Sequence, residues 1–397
     1  MPAALGMNQL VSIYFVKAIR VFVFGMVSIM TPVYLSILGF SPFYVGLTLA
    51  AVVSGNIISN IILTWYSSRL GVKPVILLFS ALMFISGLIF FFGRSLPAFV
   101  FASLIGNISV TGTEAGPFQS VETAVIPNYV TEFRTGRAYG AYNVIGYVAS
   151  SIGALASSLP SHFNNSIAAF RTLYLVYGCV GLMMLLIYMR LNLQGNKGKD
   201  RKEITFSSVR KEARTDVATL SALYFADALG GGFVTQSLLS YWFYVFYQTS
   251  LSSLGLVFLV ANVISAISTF AAPFIAERIG NLRTMVYTHL LSNSFLAGIP
   301  LAGSFELSVA LLFLRQSLSQ MDVPTRQAFM VEIFNQQERV AANAVTNTSR
   351  SFANLFGAPV TGYLLSAGFV SLPIICGALI KILYDVAIYS VYRKRVR

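Results

Sequence analysis

The chain has 397 residues, of which 56% are hydrophobic and 10% charged, with a mean hydropathy of +0.73 and a formal net charge of +13 at pH 7. Soluble domains carry about 25% charged residues, so a water-soluble fold is excluded. Cys179 and Cys376 both lie in apolar runs, which argues against a disulfide framework or a thiolate metal site. The basic excess falls in alternate loops rather than in one patch, an orientation signal that argues against nucleic-acid binding.

Apolar stretches long enough to span a bilayer, about 20 residues each, predict twelve helices. Helix 1 covers about 10–38 and carries Lys17 and Arg20; helix 2 covers about 42–65 and helix 3 about 75–92. Helix 4, about 97–127, carries Glu114 and Glu122 with Phe118 between them on one face, and Pro117 should kink it. Helix 5 covers about 137–159 and helix 6 about 170–191, followed by a basic linker from Gln194 to Asp216.

Helix 7, about 217–247, holds Asp227 shortly before Gly230-Gly231-Gly232, a weak point at which a gating helix could bend. It ends on Tyr241-Trp242-Phe243-Tyr244, which reads as an interfacial aromatic belt. Helices 8 and 9 cover about 250–276 and 284–303. Helix 10, about 306–334, places Arg315, Ser319, Asp322 and Arg326 on one face, with Pro324 predicted to kink it. Helix 11, about 340–366, has Arg350. Helix 12, about 369–392, has Lys381 and Asp385 at i, i+4, an expected intrahelical pair. Each ionisable group at bilayer depth is costly and marks a cavity, a partner or a function. His162 and His289 are too few and too far apart for a metal site, and no P-loop glycine run marks an ATPase. Neither a metal nor a cofactor is expected, and no catalytic cluster suggests an enzyme.

With the N-terminus inside, the cytoplasmic loops and tail hold nineteen Lys and Arg residues, against Arg94 and Arg171 outside. Both termini are therefore expected in the cytoplasm. The two halves also repeat. Gly46 to Gly71 and Gly255 to Gly280 each span 25 residues, and Asn143 to Gly153 and Asn347 to Gly357 each span 10. Residues 1–193 and 217–397 read as six-helix bundles joined by the cytoplasmic linker 194–216, a parallel-repeat transporter plan.

Each half carries a similar short loop after its second helix. Ser68-Arg69-Leu70-Gly71-Val72-Lys73 follows helix 2, and Ala276-Glu277-Arg278-Ile279-Gly280-Asn281-Leu282-Arg283 follows helix 8. Both resemble the D-R-x-G-R-[RK] loop of the major facilitator superfamily, with Ser68 in place of the acid in the first copy and Glu277 keeping it in the second. The resemblance implies an all-α membrane protein of twelve transmembrane helices in two pseudo-symmetric six-helix bundles, with helices 1, 4, 7 and 10 lining a central cavity. It implies a cytoplasmic latch of Arg69, Gly71, Lys73, Glu277, Arg278 and Gly280, with Glu332 as the acid that Arg278 should meet. On the cavity helices it makes Glu114, Asp322, Glu122 and Asp227 the proton-coupling candidates. Arg20, Phe118, Arg315, Arg326, Asn143, Asn347 and Arg350 are the substrate-cavity candidates.

The function so implied is secondary active transport of a small organic solute by alternating access. Proton-coupled export of amphipathic compounds, as an antiporter, leads narrowly, because charges that pair within a cavity leave no net attraction for an anion. Helix 5 lacks the proline of the drug-exporter motif, and helix 11 has Gly357-Ala358-Pro359 instead. Transport of an anionic metabolite, drawing on the arginines, and a transporter-like sensor are the alternatives. A monomer in the cell membrane is expected, with the solute, protons and the lipid bilayer as its partners.

Overall fold

A computed structural model of the chain describes residues 2–113, 116–130, 135–191, 193 and 211–394. Among these, fifteen α-helices and no β-strand are found. In chain order they are α1 (Pro2–Ile37), α2 (Pro42–Leu70), α3 (Val72–Phe92), α4 (Leu96–Ile105), α5 (Pro117–Val125), α6 (Thr135–Ala156) and α7 (Ile167–Arg190). Then come α8 (Lys211–Gly232), α9 (Gln236–Tyr247), α10 (Leu251–Ile279), α11 (Asn281–Gly298), α12 (Phe305–Ser319), α13 (Asp322–Ile333), α14 (Gln336–Ser366) and α15 (Leu372–Tyr392). They make the twelve expected spans. Among the described residues, eight stretches are long and apolar enough to cross a bilayer by themselves; the other spans are shortened or carry polar groups.

Spans 4, 7 and 10, expected as continuous helices, are each split in two. In span 4, Gly112 and Gly116 adopt positive φ (71° and 92°), which a side chain disfavours, and Pro117 opens α5. In span 7, α8 runs out through Gly230-Gly231-Gly232, and Thr235 caps α9 by accepting the Leu238 N–H. In span 10 the break falls at Gln320 and Met321. Pro324 then lies in the first turn of α13, where its missing N–H costs nothing, so it starts a helix instead of kinking one.

Two compact units form. Unit 1 comprises Met1–Lys199 and Thr235–Leu259; unit 2 comprises Asp200–Val234 and Val260–Arg397. Within unit 1, α1 packs along α6, and α3 along α7; α9 also lies on α1. Within unit 2, α8 packs along α14, and α11 along α15. First span on fifth and third span on sixth is thus the pairing in both sequence halves. The repeated glycines explain it. A Cβ on Gly153 would overlap the Phe22 carbonyl of α1, and a Cβ on Gly357 would overlap the Gly232 backbone of α8. Backbone meets backbone at both crossings, the small-residue packing that membrane helices favour.

Gly357→Ala is therefore expected to force α8 and α14 apart and to destabilise unit 2 by about 1–3 kcal/mol, the usual range for overpacking. Thermal unfolding of the detergent-purified protein measures it. An unchanged melting temperature would show that this crossing is loose.

Candidate functional site

A fully buried ion pair lies in unit 1. Arg20 of α1 and Glu122 of α5 are both 0% exposed, and the guanidinium grips the carboxylate with two bonds: Nη1 to Oε1 at 2.8 Å and Nη2 to Oε2 at 2.6 Å. This fork geometry is the strongest form of the pair. The carboxylate also accepts from Tyr142 of α6 at 2.6 Å and from Tyr188 of α7. The Phe118 ring, one turn before Glu122, lies 5.0 Å from the guanidinium carbon, and the Lys17 ammonium lies 4.2 Å from the centre of the Tyr142 ring. Three helices, α1, α6 and α7, converge on one carboxylate of α5.

Unit 2 contains a larger network centred on Asp227 of α8. Its Oδ1 meets Lys381 Nζ of α15 at 2.5 Å and His289 Nε2 of α11 at 3.7 Å. Its Oδ2 meets Arg350 of α14 at 3.1 Å and Arg326 of α13 at 3.4 Å. Arg326 also pairs with Asp322, one turn earlier on α13, at 3.0 Å. The Tyr224 ring backs both arginines, 5.6 Å and 5.9 Å from their guanidinium carbons. His289 Nδ1 lies 2.7 Å from Asp385 Oδ1, and Asn293 donates to Asp385 Oδ2 at 2.9 Å. Lys381 and Asp385 were expected to pair with each other along α15. Each turns to a different neighbouring helix instead, because Asp227 on α8 and His289 on α11 offer closer partners.

The two centres are related by the repeat. The separation of Asn143 and Asn347 is 204 residues (347 minus 143), and the same step carries Glu122 onto Arg326. An acid in span 4 meets a base in span 1; a base in span 10 meets an acid in span 7. The pairing is kept and the signs are exchanged.

The remaining candidates are placed as follows. Glu114 lies outside the described residues, as does the Arg69 side chain. Arg315 on α12 bonds its neighbour Gln316 at 2.6 Å, with Ser319 on the same amide oxygen. Asn143 and Asn347 are exposed. In the loops, Gly71 and Gly280 adopt positive φ (81° and 89°), making the turns their position requires. Lys73 donates to the Met189 and Leu191 carbonyls at the end of α7, at 2.9 Å and 2.8 Å. Glu332 accepts from Asn281 at 2.6 Å, while Glu277 and Arg278 are exposed, and no ion pair joins Arg278 to Glu332 among the described residues. Arg339 caps α13 through the Phe334 and Val331 carbonyls, at 2.8 Å and 2.9 Å. Sequence reasoning missed His289, Asn293, Tyr142 and Tyr188. The one signal was His289 and Asn293 at i, i+4, a polar stripe on a membrane helix.

The sequence profile of the Major Facilitator Superfamily matches residues 13–319 and 247–395. A membrane protein of Saccharomyces cerevisiae, YJR124C, is 24% identical over 91% of this chain and 89% of its own. Among solved structures, a mutant form of the nucleoside transporter NupG superposes with a TM-score of 0.79 at 11% identity, covering 97% of this chain and all of NupG. The xylose transporter XylE of E. coli, in an inward open conformation, gives 0.71 at 15% identity, over 96% of this chain and 95% of its own. The chain belongs to the major facilitator superfamily and is a transporter, not an enzyme.

Proposed function

We propose that this member of the superfamily is a proton-coupled exporter of amphipathic organic compounds. In this reading it works by alternating access as a monomer in the cell membrane, with both termini cytoplasmic. Residues 1–193 and 217–397 are its moving halves and 194–216 their linker. The observation that carries the solute class is the pairing of the membrane arginines. Arg20 is held by Glu122, and Arg326 and Arg350 share Asp227. Charges matched in this way spend little attraction on an anion and leave aromatic and apolar surface to hold the solute.

A second reading, transport of an anionic metabolite, is favoured by one feature. Arg326 and Arg350 converge on a single carboxylate oxygen, and the Arg350 side chain keeps 24% exposure. An incoming carboxylate or phosphate could take one guanidinium from Asp227.

Purified protein in liposomes separates these readings. Ethidium, as an amphipathic cation, and succinate, as a small dicarboxylate anion, are followed with and without an imposed pH gradient. The exporter reading expects pH-driven ethidium flux well above that of protein-free liposomes. Flux of succinate alone would move the assignment to the second reading. Binding without flux of either would leave a sensor.

A further inference from the structure

Asp385 is buried on α15, and its partners are unusual for a buried carboxylate. They are His289 Nδ1 at 2.7 Å and the Asn293 amide at 2.9 Å, both from α11. Among the described residues, no lysine or arginine nitrogen lies within 4.0 Å of it. Lys381, one turn earlier on the same helix, is committed to Asp227. The other two acids of the network have permanent cations: Asp227 has Lys381, Arg350 and Arg326, and Asp322 has Arg326. Asp385 alone depends on a cation that is optional.

The imidazole is placed between two carboxylates. With His289 neutral and its proton on Nδ1 toward Asp385, the lone pair of Nε2 faces Asp227 Oδ1 across 3.7 Å. Two acceptors then oppose each other in a buried site. A proton on Nε2 makes the ring a bridge with a donor on each side. The charged groups around it define the change. Asp227 faces it from α8 and Asp385 and Lys381 from α15; Arg326 and Asp322 belong to α13, Arg350 reaches Asp227 from α14, and Arg315 lies on α12 beside Ser292. Of these groups, the imidazole is the one whose ordinary titration falls between about pH 5 and 8.

We propose that the His289–Asp385 pair is the proton-binding site of this carrier, read out through Asp227. The inference rests on the proton-coupled reading above and names its site. Loading forms an N–H bond at Nε2 with a proton from hydronium, which leaves as water. The imidazolium then competes with Lys381 for Asp227 Oδ1. Asp227 sits six residues before Phe233, where α8 has ended and span 7 breaks, so a changed hold on its carboxylate acts within two turns of the bend.

The chain has two histidines, which makes the test direct. Protein labelled with ¹⁵N-histidine in nanodiscs gives two imidazole signals, and His162→Gln, at an exposed position in the short 3-10 helix between α6 and α7, assigns them. The signals are followed from about pH 5 to 8, and the proposal expects the His289 ring to take up a proton in that series. Asp385→Asn should move that step to lower pH, by about tenfold in proton concentration, because a charge that favours the imidazolium is gone. A ring that keeps one state across this range in the wild type overturns the proposal. In liposomes, His289→Gln keeps an amide for Asp385 but cannot titrate. The pH dependence of ethidium flux should flatten by about tenfold, whereas a merely structural defect would lower flux at every pH alike. Undiminished pH-driven flux in His289→Gln overturns this inference alone. Absence of pH-driven flux in the wild type overturns the parent reading and this one with it.

Discussion

Asp227→Asn is expected to destabilise the protein by about 3–5 kcal/mol, the cost of breaking a buried ion pair from one side. The substitution keeps the shape of the side chain and removes its charge. Lys381, Arg350 and Arg326, at 2.5, 3.1 and 3.4 Å, then share one buried space with no common anion. Asp322 still serves Arg326, so the damage falls mainly on Lys381 and Arg350. Thermal unfolding of the purified protein should show a large drop in melting temperature. Adding Lys381→Met to Asp227→Asn removes one orphaned cation and should recover part of the loss. Lys381→Met alone should be mild, because Asp227 keeps two arginines. An Asp227→Asn protein that melts with the wild type would mean that water or lipid headgroups already screen this network.

The spans, their number and the repeat were legible because the membrane imposes them. A helix must be long enough to satisfy its own backbone across the hydrocarbon, and that length is written in apolar runs. Gly153 and Gly357 were legible as a repeat but not as a contact, since sequence periodicity does not say which helix lies opposite. The breaks in spans 4, 7 and 10 were only half legible. Pro117, Gly230-Gly231-Gly232 and Pro324 announced weak points, yet composition does not say at which residue the backbone ladder stops. The largest miss has the same cause. Lys381 and Asp385 are neighbours by spacing, and spacing reports only proximity along one helix. Which way each side chain turns depends on the acid of α8 and the imidazole of α11, more than 90 residues away. His289 is silent in the sequence because two distant histidines exclude a metal site and spacing shows no carboxylate beside either. As one half of a hydrogen-bonded pair with a carboxylate, one is enough.

Arg20→Met should likewise cost about 3–5 kcal/mol, by leaving Glu122 charged and buried without its guanidinium. Two tyrosine hydroxyls remain on that carboxylate, and they cannot supply a positive charge. The informative comparison is the double variant Arg20→Met with Glu122→Leu. Replacing both ends of a buried pair with apolar groups is often close to neutral, so most of the loss should return. It should not return completely, because Tyr142 and Tyr188 lose their acceptor, at about 1–3 kcal/mol for each buried hydroxyl left unsatisfied. A double-mutant cycle on thermal unfolding reads the difference as an interaction energy. The same cycle bears on the role of Glu122, whose carboxylate is gripped by a bidentate arginine and two tyrosines. Glu122→Gln should therefore lower stability while pH-driven flux per folded molecule persists. If the flux disappears from Glu122→Gln protein that is as stable as the wild type, Glu122 is itself a coupling site. The exchanged signs of the two halves would then mark two proton-handling centres rather than one.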